Sequence, residues 1–160
     1  MEKVTIAVPT NRGLKSKTAK SLLDLVAYSA RKYDIHIVIS EEGYTVAENR
    51  NFIAVQAVNN GSKWLFSVDD DMVFPPDTLE RLLADDKDIV SIAYHPRTDM
   101  GDKIKWLDET HHIKLEQTDD PKYKTTFETH ATGTGIILIK TEVFKKTPRP
   151  WFAFEYYETG

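Results

Sequence analysis

Two kinds of hydrophobic periodicity alternate along the first half of the chain. Short apolar runs that are typical of strands occupy residues 4–8, 35–39, 64–68 and 88–93. From Ser16 to Lys32 the apolar positions instead recur with helical spacing, which predicts an amphipathic helix. Strands that alternate with helices form a parallel sheet with the helices packed on its faces. The pattern therefore predicts an α/β fold.

Local signals mark where several of these elements begin and end. The turn-forming residues from Pro9 to Gly13 stop the first strand. Thr45 and Glu48 have the spacing of a capping box, which predicts that a second helix begins there. Gly61 provides a residue suited to a left-handed C-terminal cap, so that helix is expected to end near Asn60.

The second half of the chain has a different character. Alternating segments at 103–106 and 112–115 predict a hairpin, and residues 125–130 and 136–139 predict further strands. A short helix is expected around 142–146. No repeat or linker divides the sequence. We therefore predict one domain over residues 1–160, with a strand-and-helix half (1–94) and a half with an antiparallel addition (95–160).

Composition narrows the possible functions. The chain has 160 residues, of which 41% are hydrophobic and 29% charged, as expected for one globular domain. Its net charge of −4 and scattered Lys and Arg residues argue against nucleic acid as a partner. The absence of cysteine excludes disulfides, thiolate catalysis and Cys-ligated zinc. No signal peptide or transmembrane segment is evident in the sequence, which predicts a cytoplasmic location.

An acidic run, Asp69-Asp70-Asp71, follows the apolar third strand directly. Ligands of open α/β sheets bind beyond the carboxyl ends of the strands, where this run falls. In an extended chain Asp69 and Asp71 would share a face, and two carboxylates suit Mg²⁺ or Mn²⁺ with phosphate oxygens completing the coordination. The alternative is a solvated acidic turn that caps the following helix. Two other acidic pairs, Asp85-Asp86 and Asp119-Asp120, lack a preceding strand.

Several segments occur in an order that resembles the family 2 glycosyltransferases and related enzymes of the GT-A fold. The acidic run followed by Pro75-Pro76-Asp77 is similar to the family's DxD segment and the helix behind it. The other segments are Val4 to Arg12, Ile37 to Gly43, Ala47 to Asn51, and Gly133 to Ile139. The resemblance covers nearly the whole chain. It implies a GT-A-like, mostly parallel central sheet flanked by helices, with an antiparallel hairpin in the C-terminal half.

The resemblance also implies roles for individual residues. Asp71 would be the principal ligand of Mn²⁺ or Mg²⁺, and Asp69 would assist the metal or contact the ribose. The other residues implied in nucleotide binding are Pro9, Thr10, Asn11, Glu41, Glu42, Arg50 and Asp70. On the sugar and acceptor side we place Gly133, Thr134, Gly135, His95, which follows the fourth strand, and Trp151 in an aromatic tail. That tail is equally suited to stacking on a sugar, to core packing or to a homo-oligomer contact.

The expected function is transfer of a sugar from a nucleotide-diphosphate sugar to a glycan, lipid, protein or small-molecule acceptor. Two features depart from the family: Glu41 and Glu42 stand where Asp is usual, and the chain ends where a catalytic carboxylate pair would begin. Glu155 and Glu158 are the nearest candidates for the base. Because the expected carboxylate pair is missing, we expect either a truncated sequence or a base that lies elsewhere. The alternative is a catalytically incomplete nucleotide-sugar-binding or assembly module.

Two other nucleotide-binding classes fit less well. A sugar-phosphate nucleotidylyltransferase would have a glycine-rich loop after the first strand, where this chain has the single glycine Gly13. A Rossmann dehydrogenase would have a Gly-x-Gly-x-x-Gly motif at the same place, and none is present there.

Overall fold

A computed structural model describes residues 1–41, 43–92, 126 and 128–154, together with the backbone of 103–107 and 113–117. Strands and helices alternate through the first half, as the sequence predicts. The elements, in chain order, are β1 (Glu2–Pro9), α1 (Ser16–Ser29), β2 (Tyr33–Ser40), α2 (Val46–Asn59), β3 (Trp64–Val68), α3 (Thr78–Ala84), β4 (Ile89–Ser91), β5 (Lys103–Leu107), β6 (Ile113–Gln117), β7 (Ile136–Lys140) and α4 (Thr141–Lys146).

The central sheet has five strands in the order β2-β1-β3-β7-β4. Strands β1, β2 and β3 are parallel neighbours, whereas β7 pairs antiparallel with both β3 and β4. The sheet is therefore mixed and mostly parallel, and the predicted fold class is confirmed. The late strand β7 separates β3 from β4, so the fourth strand of the alternating half does not lie beside the third.

Both faces of β3 are buried because helices cover both sides of the sheet. All five residues from Trp64 to Val68 are buried, as expected for a central strand with a continuous apolar run. Phe66 belongs to a cluster that includes residues of α1 and α3. Leu65 belongs to a second cluster on the opposite face, formed with α2 and α4.

The predicted start and end of α2 are confirmed. The Thr45 side chain accepts a hydrogen bond from the Glu48 backbone N–H, and the Glu48 carboxylate accepts one from the Thr45 backbone N–H, at 3.2 and 2.8 Å. This capping box satisfies two amide groups that lack partners inside the helix. Gly61 follows the helix with φ of 75°, a left-handed conformation that costs glycine little.

Two predictions about the second half have different outcomes. Strands β5 and β6 pair antiparallel, which confirms the hairpin. The predicted strand at 125–130 is wrong for residues 126 and 128–130, which adopt no strand conformation. The Thr126 hydroxyl instead donates to the Asp85 carboxylate, which is distant in the sequence, and the Thr129 hydroxyl donates to the nearby Ala131 carbonyl. None of the helices in the described residues is long and apolar enough to cross a membrane.

Candidate active site

The carboxyl ends of β1, β2 and β3 meet at one edge of the sheet. Pro9 lies opposite Ser40 in the register of β1 and β2, and Ala7 lies opposite Ser67 in the register of β1 and β3. The segments that leave these strands are therefore neighbours, although they are far apart in the sequence. They contain most of the residues predicted to bind a nucleotide.

Asp70 is joined to the end of β1. The Thr10 hydroxyl donates a hydrogen bond to Asp70 Oδ2 at 2.5 Å, and Thr10 is buried. The Asp70 carbonyl accepts from the Lys15 backbone N–H at 3.1 Å and from the Thr18 hydroxyl at 2.9 Å. Asp70 thus fixes the acidic run against both the β1 loop and the beginning of α1. This is a positioning role that the sequence did not indicate.

Asp69 is paired with Arg50, a residue of the first turns of α2. The Arg50 guanidinium donates to Asp69 Oδ1 at 2.8 Å, and the Asp69 backbone N–H donates to the Gly135 carbonyl at 2.8 Å. Within the described residues the buried Arg50 Nε has no hydrogen-bond partner. The structure therefore brings together two predicted nucleotide-binding residues, Arg50 and Asp69, beside the predicted glycine-rich turn.

Asp71 is the third acid of the run, and its position differs from the expected one. The strand ends at Val68, and the Met72 backbone N–H donates to the Asp69 carbonyl, so Asp70 and Asp71 lie in a turn. The expectation that an extended chain aligns Asp69 and Asp71 on one face is wrong for this reason. Lys15 Nζ lies 3.7 Å from Asp71 Oδ2. Lys15 and Arg50 therefore offset part of the mutual repulsion among the three carboxylates.

Whether a divalent cation fits this turn depends on which side chains could coordinate it. Within the described residues no group of three or more His, Cys, Asp or Glu side chains is arranged to hold a metal ion. Mg²⁺ and similar ions, however, are held in phosphate-binding sites by one or two carboxylates, with water and phosphate oxygens as the remaining ligands. The Asp71 side chain is only 12% exposed, whereas that of Lys15, which pairs with it, is 65% exposed. The residues fit a cation that has one main protein ligand.

Asn49, which lies fully buried in α2, connects the loops around this site. Its amide oxygen accepts from the Ser40 hydroxyl and the Gly43 backbone N–H, both at 2.8 Å. Its amide nitrogen donates to the Thr10 carbonyl at 3.1 Å and to Asn11 Oδ1 at 2.5 Å. One side chain thus ties the end of β1 to the end of β2. Sequence reasoning missed it, although a polar residue on the inward face of a helix was a possible signal.

A second asparagine of α2, Asn51, holds the C-terminal segment. Its amide oxygen accepts from the backbone N–H groups of Trp151 and Phe152, and its amide nitrogen donates to the carbonyls of Phe152 and Ala47. The Trp151 ring packs against Phe144, with 5.0 Å between the ring centroids. Trp151 is therefore engaged within the chain, which uses part of the aromatic surface that was considered for oligomer contacts.

Of the other predicted residues, some lie at this edge of the sheet and the rest lie outside the described residues. Pro9 is buried at the end of β1, whereas Asn11 and Glu41 are exposed at the same edge of the sheet. Gly133, Thr134 and Gly135 precede β7 and reach this edge through the bond between Gly135 and Asp69. Four predicted residues lie outside the described residues: Glu42, His95, Glu155 and Glu158.

The fold and the site define an α/β protein that gathers polar side chains at the carboxyl edge of its sheet. The family described as "Glycosyl transferase family 2" matches residues 15–147. Because this match spans well over half of the chain, the chain belongs to glycosyl transferase family 2. No curated protein sequence matches the chain significantly.

Two solved structures are similar to the chain. One is a glycosyltransferase involved in the glycosylation of the major capsid of PBCV-1, with a TM-score of 0.47 and 15% identity over 96% of this chain and 72% of that one. The other is residues 1–349 of TarS from S. aureus, with a TM-score of 0.44 and 15% identity. That similarity covers 90% of this chain and 48% of the TarS chain, so the present chain spans about half its length.

Proposed function

We propose that this chain transfers a sugar from a nucleoside-diphosphate sugar to an acceptor, with the donor bound at the carboxyl ends of β1, β2 and β3. The observation that carries the proposal is the joining of three segments at one point. Thr10 bonds to Asp70, and Arg50 bonds to Asp69, so β1, α2 and β3 contribute side chains to the same edge. The chain belongs to glycosyl transferase family 2, and ligands of open α/β sheets bind beyond the carboxyl ends of the strands.

Within this proposal each segment has a separate task. Pro9, Thr10, Asn11 and Glu41 form the side on which the base and ribose lie, and Asn49 fixes the backbone of that side. Arg50 holds Asp69 in place and contributes positive charge near the donor. The chain between Gly133 and Gly135 borders the sugar, because Gly135 bonds to the backbone of Asp69.

Asp71 is the proposed anchor of Mn²⁺ or Mg²⁺, the role that the resemblance to the family's DxD segment gives to the last acid of the run. When bound, the cation would stabilise the negative charge that develops on the departing diphosphate. Lys15 lies beside Asp71 at 3.7 Å and its side chain is 65% exposed. Because the Lys15 side chain is mostly exposed, it can turn towards solvent when a cation binds to Asp71.

The proposed base is Glu155 or Glu158, the acids next to the segment that Asn51 holds. The acceptor is a glycan, lipid, protein or small molecule, and the proposed location is the cytoplasm. A module that binds the donor without transferring its sugar is the competing proposal. It predicts donor binding with no turnover.

The test is release of nucleoside diphosphate from a panel of nucleoside-diphosphate sugars, with Mn²⁺ or Mg²⁺ and with mixed acceptors. We expect release by the wild-type chain and a loss of about 100-fold or more in Asp71→Asn, the size found when one electrostatic contact to a transition state is removed. Asp24→Asn is the control, because Asp24 pairs with Lys20 on the exposed surface of α1. Equal rates in Asp71→Asn and wild type would refute the role of Asp71. Binding without release in all conditions would favour the non-catalytic module.

A further inference from the structure

The outer edge of β2 has no strand partner in the described part of the chain. β2 is the terminal strand of the sheet order, and all eight of its residues pair with β1 on the inner side. The Ser40 carbonyl accepts from the Thr10 backbone N–H at 3.0 Å. Because main-chain groups alternate between the two edges of a strand, the even-numbered residues of β2 bond to β1. The N–H and C=O groups of Ile35, Ile37 and Ile39 therefore point outward.

The same residues make this edge apolar. Ile37 is 53% exposed and Ile39 is 48% exposed, although they are large hydrophobic residues in a regular strand. Ile35 lies on the same face and is partly buried against the cluster that contains α1. Edge strands are usually protected by charged side chains, by Pro, by a bulge or by a covering helix or loop. β2 contains no Pro or Lys, its one acidic residue Asp34 lies near its start, and it keeps an unbroken register with β1.

We propose that the outer edge of β2 is the contact surface of a symmetric homodimer. Two β2 strands pair antiparallel about a two-fold axis that passes through Ile37, so that one sheet continues across both copies. This inference does not depend on sugar transfer. It also uses a different surface from the C-terminal aromatic residues.

A second copy fits this edge because the strand is complementary to itself. In the pairing about Ile37, that residue lies opposite its own copy, and Ile35 lies opposite Ile39 of the other copy. A two-fold axis perpendicular to the sheet keeps these side chains on one face, where they form a continuous apolar row. Their outward N–H and C=O groups face one another, so each of these pairs exchanges two hydrogen bonds.

The polar residues of β2 are also compatible with this pairing. Asp34 lies opposite Ser40 of the other copy, and His36 lies opposite Val38. Like charges directly opposite each other would be destabilising, and this pairing places none in that position. A slip of one residue would pair the isoleucines with the opposite face of the strand, and only the pairing about Ile37 places an isoleucine opposite each of the three.

The first test is the mass of the chain in solution as a function of concentration, by sedimentation equilibrium. We expect wild type to form dimers, and Ile37→Lys to weaken association at least tenfold because it buries a charge at the two-fold axis. Leu23→Lys is the matched control, since Leu23 is 70% exposed and belongs to α1, not to β2. It should leave the dimer unchanged. A monomeric wild type, or Ile37→Lys that associates as wild type does, would overturn the proposal.

A cross-linking test checks the register and does not rely on a destabilising substitution. The chain has no cysteine, so Ile37→Cys introduces a single thiol. Hydrogen-bonded antiparallel pairs have Cα atoms about 5.5 Å apart, within the range of about 4.4–6.8 Å that disulfides span. Ile37→Cys should form a covalent dimer under mild oxidation, and Leu23→Cys should remain mostly monomeric. Equal cross-linking of the two variants would contradict the proposed interface.

Discussion

The substitution Asn49→Ala tests how the candidate site is held together. The Asn49 side chain is fully buried and makes four hydrogen bonds, to Ser40, Gly43, Thr10 and Asn11. Removing the amide leaves the Gly43 N–H and the Thr10 carbonyl without these bonds, and these backbone groups cannot rotate to find others. The Ser40 and Asn11 side chains can reorient towards water or a neighbour.

The expected loss of stability has one contribution from the two backbone groups and another from the two side chains. A buried polar group left unsatisfied costs about 1–3 kcal/mol, which applies to the buried Thr10 carbonyl, and the partly buried Gly43 N–H adds less. A contribution from the two side chains raises the expected total to about 2–4 kcal/mol. Whole domains are stable by only about 5–15 kcal/mol, so Asn49→Ala should remain folded and measurably weaker.

The assay is urea denaturation followed by circular dichroism, which gives the free energy of unfolding. Asn59→Ala is the control, because Asn59 is exposed in the last turn of the same helix, and it should change stability by no more than about 0.5 kcal/mol. Asn49→Ala should also weaken nucleotide binding more than Asn59→Ala does, since it frees the loops after β1 and β2. A stability loss equal to that of the control would refute the proposed role of Asn49.

Three further predictions concern the same half of the molecule. Thr45→Ala removes the N-cap of α2, and urea denaturation should show a loss of about 1 kcal/mol; no change would mean that the capping box with Glu48 does not stabilise the helix. Gly43→Ala should destabilise the chain by about 1–3 kcal/mol in the same assay, because an added Cβ would lie 2.8 Å from Glu48 Cβ. Burial raises the pKa of the Tyr33 phenol, and the negative charge of Glu80 adds to this rise. The stability gained by burying the neutral phenol is fully present below about pH 10. It is lost as pH rises further and the phenol ionises. Tyr33→Phe should therefore lose less stability than wild type between neutral and alkaline pH, and identical pH profiles would contradict this.

Local signals in the sequence predicted most of the elements but not their arrangement. The capping box at Thr45 and the glycine at position 61 marked both ends of α2 because caps depend on neighbouring residues only. The place of β7 between β3 and β4 depends on pairing with Phe66 and Val90, far away along the chain. Hydrophobic periodicity contains no information about such partners.

For the candidate site, too, the sequence predicted the residues involved but not all of their contacts. The acidic run, Arg50 and Thr10 were predicted to lie close to one ligand, and the contacts of Asp69 and Asp70 bring them together. The strand was predicted to end at Val68, but the acidic run after it was expected to be extended, whereas Asp70 and Asp71 form a turn. Asn49 was missed because its importance comes from four partners in two other segments, the ends of β1 and β2.

The most direct measurement of the central claim is calorimetric titration of nucleoside diphosphates into the chain, with and without Mn²⁺. We expect binding that Mn²⁺ strengthens in wild type and in Asp24→Asn. In Asp71→Asn the strengthening by Mn²⁺ should be lost while the protein remains folded. Absence of nucleotide binding to the wild-type chain, or the same Mn²⁺ dependence in Asp71→Asn as in wild type, would contradict it.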